Sequence, residues 1–224
     1  MWKLKTLLLP IAVSVFISAC QTTPTQPYDY SAFQKSDPKS ILVVLPSNQS
    51  VNIKAPFGVL AQTTKPLAES GYYVFPVALV NETFKSNGLT IGNEIQNVSL
   101  KKLGDIYNPD AVLYLDVIEY GTKYQVIESV TLVSTKARLV DVRTGIELWS
   151  GSASARVGSN DGNNNGLFGA LIGAVVNQIS SNVRDHSYSV AGVVNQQLLS
   201  AGRDKSILPG PYHPNYKKPS SVAQ

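Results

Sequence analysis

A short, unbroken apolar run near the start of the chain restricts the fold to sheets that are covered on both faces. The run reads Ile-Leu-Val-Val-Leu between Ser40 and Pro46 and includes β-branched residues. A half-exposed strand alternates apolar and polar side chains, whereas continuous hydrophobicity is typical of a strand buried on both sides. We therefore predict a central strand of a sheet at this position.

The residues after this run predict a parallel strand–helix–strand unit. Apolar and small residues recur at helical spacing between Gly58 and Ser70, and Gly71 provides a stop signal. The aromatic and β-branched segment 72–77 then predicts a second strand. Because such connections are right-handed by default, the two strands are expected to lie parallel in one sheet.

The second half of the chain predicts further helices and an antiparallel hairpin. Helices are expected over 79–86, 99–107 and 185–199, and a third strand is expected over 111–120. Two alternating segments, 130–142 and 146–157, are joined by the short connection Arg-Thr-Gly at 143–145. A short glycine-containing connection between alternating segments predicts a hairpin.

These elements predict one α/β domain over residues 37–201. Its fold class is a three-layer mixed sheet with parallel first strands, a C-terminal antiparallel hairpin and helices on its faces. Residues 202–224 are rich in Pro and Gly. This tail is expected to run over the surface or to lack order.

The N-terminus predicts a secretory signal that ends in a lipidation site. Residues 1–5 are basic, and residues 7–16 form an uncharged apolar segment. Residues 17–20, Ile-Ser-Ala-Cys, resemble the lipobox of bacterial lipoproteins, so residues 1–19 are expected to be a signal peptide. A short transmembrane helix is the alternative, but this run is shorter than the roughly 20 apolar residues needed to span a bilayer.

Cys20 is the only cysteine in the chain. The resemblance implies that Cys20 is acylated and becomes the mature N-terminus, which leaves the exported domain without a disulfide or a thiolate metal site. Residues 20–36 are then expected to be a lipidated N-terminus and tether. Gln21 follows the cysteine, where an aspartate would resemble an inner-membrane retention signal, so the periplasmic face of the outer membrane is favoured.

The rest of the sequence contains no complete catalytic or metal-binding motif. Residues 161–166 copy the first half of an EF-hand loop, but the twelfth position, where a bidentate glutamate is required, is Ile172. The formal net charge of +4 includes Lys3 and Lys5 of the signal, and it gives little electrostatic basis for nucleic-acid binding. We therefore expect no metal, no cofactor and no nucleic acid.

Few side chains could support acid–base catalysis. His213 lies in the proline-rich tail, and His186 is not preceded by a nucleophilic serine elbow. The odd spacing of Asp116 and Glu119 predicts that they point to opposite faces of a strand. An enzyme is disfavoured, although an envelope hydrolase that uses His186 or Asp116 remains an alternative.

An apolar segment after a Gly- and Asn-rich loop is the candidate interaction surface. Residues 158–166 predict a flexible loop and residues 167–179 an apolar helix, in which Gly169 and Gly173 have the spacing of closely packed helices. One interpretation is core packing, and the other is an exposed oligomerisation or membrane-inserting face. The surface comprises Leu167, Phe168, Gly169, Leu171, Ile172 and Gly173.

Four sequence blocks resemble a known family. Residues 28–33, 66–77, 119–122 and 137–145 look like those of bacterial lipoproteins that carry a domain of unknown function and include a neisserial vaccine candidate. The similarity runs from the lipobox to about Tyr212. More weakly, the hairpin resembles domains of the curli secretion lipoprotein and of the Tol-Pal translocation protein, which implies an α/β fold used for protein contacts.

The expected function is that of a non-enzymatic accessory or assembly subunit of an envelope complex, such as one related to curli-type secretion. Its expected partners are the membrane, through the acyl chains, and envelope proteins that include a curli-secretion-like lipoprotein. Self-association into a homo-oligomer is a further expectation. The alternative binding function is to dock on or activate the cell-wall synthesis machinery.

Overall fold

The computed structural model describes residues 28–124, 129–158 and 186–218. In these ranges the strands are β1 (Ser40–Val43), β2 (Ser47–Asn48), β3 (Tyr73–Val74), β4 (Ala111–Tyr124), β5 (Ser129–Asp141) and β6 (Glu147–Gly158). The helices are α1 (Ser31–Ser36), α2 (Ala55–Ala61), α3 (Thr64–Glu69), α4 (Val77–Ser86), α5 (Gly92–Gln96), α6 (Leu100–Tyr107) and α7 (Ser187–Leu199). Among the described residues, no helix is long and apolar enough to cross a membrane.

The strands form one mixed sheet in the order β3-β1-β4-β5-β6, with β2 also paired to β4. β1 is parallel to β3 and β4, and β2 is parallel to β4. β5 is antiparallel to both β4 and β6. The predicted α/β class, with parallel first strands and a C-terminal antiparallel hairpin flanked by helices, is confirmed.

The apolar run of β1 lies inside the sheet, as predicted. Ile41, Leu42 and Val43 are all fully buried, although they point alternately to the two faces. Right-handed crossovers place α2 and α3 on one face and α4 to α6 on the other, because the chain moves outward from β1 to β3 and then back to β4. The parallel half of the domain therefore has three layers.

The antiparallel half of the sheet is covered on one face only. α7 packs across β5 and β6, where it covers Thr135, Ala137 and Leu139. On the opposite face Lys136 and Arg138 are exposed, and no helix among the described residues covers them. We call this uncovered surface of β4, β5 and β6 the open face.

The predicted helix over residues 58–70 is two helices, α2 and α3. Pro66 has no N–H to donate to the carbonyl of Gln62, and its ring would clash with that carbonyl in a continuous helix. The chain turns at Gln62 and Thr63, and the buried Thr63 hydroxyl donates to the Leu60 carbonyl at 2.7 Å. Pro66 therefore interrupts the helix at Gln62, the residue whose carbonyl it cannot bond, and α2 ends at Ala61.

The predicted strand over 72–77 is shorter, because only Tyr73 and Val74 pair with β1. Pro76 cannot donate to a strand ladder, and α4 begins at the next residue. The short strand leaves β3 at the edge of the sheet.

The hairpin between β5 and β6 is held by one buried carboxylate. Asp141 accepts hydrogen bonds from the Arg143 amide at 2.9 Å, from the Thr144 amide at 2.8 Å and from the Ser36 hydroxyl. Burial alone would raise the pKa of Asp141, but these hydrogen bonds and the nearby Arg143 guanidinium together lower it below its usual value. The ionised form therefore stabilises the turn.

The segment before residue 37 does not act as a tether along its whole length, which corrects the boundary predicted from the sequence. Phe33 of α1 is only 3% exposed and belongs to the core, where Tyr28 and Tyr30 pack against it. The Tyr30 hydroxyl donates to the Ser206 carbonyl at 2.6 Å. Aromatic burial outweighs the Pro- and Thr-rich character of this region, so residues 28–36 belong to the packed domain.

Residues 202–218 are also part of the packed structure, although a surface or disordered tail was predicted for residues 202–224. Ile207 is completely buried, and the Tyr72 hydroxyl donates to the Leu208 carbonyl. The Gly210 amide donates to the Ser70 carbonyl at 2.7 Å. A single buried isoleucine among Pro and Gly residues produces neither a helical nor a strand periodicity. The sequence prediction therefore rested on composition, which is typical of a tail.

Replacing Ile207 tests whether this C-terminal segment stabilises the domain. Ile207→Ala should lower the free energy of unfolding by about 2–5 kcal/mol, because it leaves a cavity at a fully buried site. Tyr212→Ala, at an exposed position of the same segment, should change it by less than about 0.5 kcal/mol. Denaturant unfolding measures both, and equal small effects would show that the segment contributes no stability.

The Asp141 carboxylate predicts a specific pH dependence. Since the pKa of Asp141 is lowered on folding, its contribution to stability is present above the unfolded value of about 3.9 and is lost as the pH falls through the folded value. The stability difference between the natural protein and Asp141→Asn should therefore be largest near pH 6 and shrink below about pH 4. Asp204→Asn, at an exposed carboxylate, is the matched control, and a pH-independent difference for Asp141→Asn would contradict the prediction.

Candidate protein-interaction surfaces

The described residues contain no group of three or more His, Cys, Asp and Glu side chains that could hold a metal ion. The two histidines lie at opposite ends of α7. His186 directly precedes the helix, whereas the His213 backbone lies beside Gly71, near the end at Leu199. The structure therefore does not bring them together into one acid–base site.

Asp116 and Glu119 lie on the same face of the sheet, so the prediction that they point to opposite faces is wrong. A β-bulge between Val117 and Glu119 inserts one extra residue into β4. Asp116 lies opposite Lys136, and Glu119 lies opposite Ser134, two residues along β5. Asp116 and Glu119 are three residues apart in the sequence, but the bulge makes them equivalent to residues two apart in a regular strand, so their side chains share a face.

Both carboxylates have partners, which limits what the pair can do chemically. The Ser47 hydroxyl donates to Asp116, and the Lys123 ammonium lies 3.4 Å from Glu119. Neither carboxylate lies in a water-excluding cleft with a nucleophile. The arrangement favours a structural polar surface over an acid–base pair.

The open face forms a shallow groove of about 440 Å³. Its lining includes Asp116, Lys136, Arg138, Glu147, Ser150 and Ser152. The Arg138 guanidinium lies 4.3 Å from the centre of the Tyr114 ring, a cation–π contact that fixes its position. The groove is polar and has a cationic strip along β5.

Three exposed apolar side chains lie at one end of the sheet, in and just after the loop that follows β2. Val51 is fully exposed, Ile53 is 82% exposed and Phe57 is half exposed. We call these three residues the apolar apex. Soluble domains tolerate single exposed apolar residues, but a contiguous group of them marks an interaction site more often.

The loop that carries the apolar apex is held by a hydrogen-bond network. The Asn48 side-chain amide donates to the Asn52 carbonyl at 2.9 Å, and the Asn48 side-chain oxygen accepts from the Ser50 amide at 3.0 Å. The Gln49 amide donates to the Val117 carbonyl of β4 at 2.8 Å. Because the backbone is fixed in this way, Val51 and Ile53 are presented outward at low conformational cost.

A groove of about 250 Å³ adjoins the loop. It lies between the loop residues Gln49 to Val51 and the strands β4 and β5, and Ile118 and Leu132 contribute apolar surface to it. The bulge exposes Ile118 here, because the extra residue has no partner in the ladder. The apolar apex and this groove form one continuous candidate surface.

The sequence predicted only a polar loop in this region. Asn and Ser residues between 47 and 52 are typical of a loop. The missed signal was the alternation of Val51 and Ile53 with these polar residues, since apolar side chains in a loop have no core to enter.

A further cavity of about 470 Å³ lies between α1 and the C-terminal segment. Asp37 at its edge accepts a hydrogen bond from the Tyr216 hydroxyl at 2.6 Å and from the Lys217 ammonium at 2.8 Å. Burial alone would raise the pKa of Asp37, but these two donors lower it. The Asp37 carboxylate therefore links the segment after α1 to the C-terminal segment.

The sequence-predicted site residues lie outside the described residues. They are Cys20 and the surface formed by Leu167, Phe168, Gly169, Leu171, Ile172 and Gly173. The EF-hand-like residues 161–166 also lie outside the described ranges. The candidate surfaces of the structure are therefore the apolar apex with its groove and the sheet formed by β4, β5 and β6.

An α/β domain preceded by a lipobox-like sequence defines a class, the bacterial lipoproteins of the cell envelope. Residues 28–212 match the family model described as Putative lipoprotein GNA1162-like, and the chain belongs to this family. The resemblance seen in the sequence is thereby confirmed. Neither the family description nor that of its curated relative names an enzymatic activity.

Two relatives from Neisseria meningitidis are similar over most of their length. The putative lipoprotein NMB1124/NMB1162 of serogroup B is 52% identical over 208 residues, which cover 93% of this chain and 96% of the relative. The crystal structure of lipoprotein GNA1162 is 58% identical, covers 65% of this chain and all of its own, and has a TM-score of 0.54. Both support the same family.

A more distant solved structure is PelC from Paraburkholderia phytofirmans, a dodecamer. It is 17% identical, with coverage of 77% of this chain and 91% of that chain and a TM-score of 0.44.

Proposed function

We propose that this protein is a non-enzymatic accessory subunit of an envelope complex. In this proposal, acyl chains on Cys20 hold it to the periplasmic face of the outer membrane, and the apolar apex binds a partner protein. The main supporting observation is the outward presentation of Val51 and Ile53 on a loop fixed by hydrogen bonds. Membership of a lipoprotein family supports the anchored location.

The distance between Tyr28 and the apical groove supports a bridging role. Tyr28, the first described residue, accepts through its hydroxyl a hydrogen bond from the Ser150 amide near the start of β6. Arg156, which lies opposite Leu132 beside the apical groove, is six residues further along β6. At about 3.4 Å per residue, the groove is about 20 Å along the strand from Tyr28, which the proposed anchor precedes in the chain.

The free energy that the apolar apex could contribute to binding is that of a small interface. Fully burying Val51, Ile53 and Phe57 would contribute roughly 1.5–3 kcal/mol each before the costs of association. An anchored protein needs less intrinsic affinity, because confinement at the membrane raises the effective concentration of its partner. Weak apolar contact and lipid anchoring are therefore complementary parts of the proposed function.

The partner we propose is another envelope protein, with a curli-secretion-like lipoprotein as the first candidate. The sequence resemblance of the hairpin motivates this choice. A homo-oligomer formed through residues 167–173 is compatible with it, because that segment is distinct from the apolar apex.

Substitutions in the apex test the proposal. The double variant Val51→Ser/Ile53→Ser should reduce recovery of the partner at least tenfold, because it removes the exposed apolar surface and leaves the loop network in place. The measurement is site-specific photo-cross-linking from Phe57, followed by purification in mild detergent and identification of the adduct. Leu79→Ser, at another exposed apolar residue, in α4, is the control and should leave recovery unchanged. Equal recovery with the double variant and the natural protein would sink the proposal.

A second substitution tests the anchor. Cys20→Ser should move the protein from the membrane fraction to the soluble periplasmic fraction, because the thioether-linked lipid cannot form. The measurement combines fractionation with the intact mass of the mature chain, which should include diacylglycerol and an N-acyl group only in the natural protein. Retention in the membrane fraction of Cys20→Ser molecules whose intact mass shows that residues 1–19 have been removed would contradict the proposed anchoring.

A further inference from the structure

We propose that the outer edge of β6 binds an extended acidic segment of a partner protein as an added β-strand. This site lies on the strand edge rather than at the apolar apex, and it does not depend on the function proposed for the apex. It would give the protein a second mode of recognition, based on main-chain hydrogen bonds.

Between Gly151 and Val157, the outer edge of β6 has no strand partner among the described residues. β6 pairs only with β5 among the described residues. The Ser150 amide points outward, since it donates to the Tyr28 hydroxyl at 3.0 Å. Because alternate residues of a strand share a direction and the ladder is regular from Ser150 onward, the amides of Ser152, Ser154 and Arg156 also point outward.

Among the described residues, the features that protect this edge lie at its beginning. Natural sheet edges are usually blocked by proline, a bulge, an inward charge or a covering segment. Tyr28 covers the edge at Ser150, and the bulge of the β5–β6 pair lies between Leu139 and Val140, opposite the start of β6. From Gly151 to Val157 the strand has no proline and no bulge. This stretch spans about 23 Å, enough for a strand of ordinary length.

The side chains beside this edge define the chemistry of the added strand. On the open face β6 presents Ser152, Ser154 and Arg156, next to the exposed Lys136 and Arg138 of β5. On the other face it presents the small buried residues Ala153 and Ala155 and Val157.

Asp116 of β4 lies opposite Lys136, and Glu147 lies at the start of β6, but the strand stretches next to the outer edge carry only cations. Neither β5 between Val130 and Val140 nor β6 between Leu148 and Gly158 contains an acidic residue. A matching strand therefore alternates acidic side chains, which face the cations, with small apolar ones. Each favourable cross-strand pair adds roughly 0.2–1 kcal/mol.

A second copy of the same edge fits less well. Antiparallel pairing of two β6 strands would bring Lys136, Arg138 and Arg156 of one copy toward the same three residues of the other. Like charges at neighbouring cross-strand positions oppose pairing. Charge complementarity therefore favours an acidic peptide over self-association at this edge.

The experiment uses the full mature lipoprotein in mild detergent and two synthetic octapeptides, one of alternating glutamate and valine and one of alternating lysine and valine. Hydrogen–deuterium exchange is measured amide by amide. The acidic peptide should slow exchange at Ser152, Ser154 and Arg156 at least tenfold, while the basic peptide leaves them unchanged. Inward amides such as that of Ala153, already bonded to β5, should respond little to either peptide.

Two variants separate main-chain pairing from charge attraction. Ser154→Pro removes an outward donor without breaking the β5–β6 ladder, and it should weaken acidic-peptide binding at least tenfold, whereas Ser154→Ala should bind normally. Arg156→Glu retains every amide and should shift the preference toward the basic peptide, so the proposal stays testable even if the proline variant fails to fold.

Three results would overturn the inference. The first is unchanged exchange at the three outward amides with the acidic peptide. The second is equal protection by both peptides, which would indicate non-specific binding. The third is protection that rises with protein concentration in the absence of peptide and accompanies a doubled mass, which would assign the edge to a second copy of the chain.

Discussion

The rest of the structure depends on the way β4 is shared between two kinds of strand pairing. On one side β4 is parallel to β1 and β2, and on the other it is antiparallel to β5. The parallel side needs helices on both faces, whereas the antiparallel side is covered mainly by α7, with α1 in contact with β6. β4 therefore marks the boundary between a three-layer core and a sheet with one exposed face. Its bulge after Val117 also exposes Ile118 in the apical groove.

Much of the fold could be predicted because its main signals are local. The unbroken apolar run predicted β1, and the alternation of apolar and polar residues predicted β5 and β6. Ser99 caps its helix as predicted, because its hydroxyl oxygen accepts a hydrogen bond from the Lys102 amide at 3.3 Å. Other features depend on contacts far apart in sequence. Phe33 and Ile207 are buried only because segments far apart in the sequence pack together. The bulge in β4 adds one residue to the strand, and the composition of the strand does not reveal it. The candidate site was harder to predict, because a valine such as Val51 indicates an interaction surface only if its side chain is known to be exposed.

The two proposed surfaces differ in what they recognise. The apolar apex offers side chains that gain free energy mainly by leaving water, so it selects by shape and hydrophobicity. The β6 edge offers main-chain donors and acceptors beside cations, so it selects an extended backbone with alternating charge. An envelope subunit with both kinds of surface could hold two segments of one assembly, each too weakly bound to persist alone.

The contact between Tyr28 and Ser150 has a mechanical consequence. Tyr28 is the first described residue after the proposed lipid anchor, and its hydroxyl covers the first outward amide of β6. If Cys20 is anchored as proposed, a pull from the membrane would reach this bond before the bonds of the sheet. Its rupture would peel the N-terminal arm from the strand and lengthen the uncovered edge. Tension in the envelope would in this way be converted into backbone available for pairing.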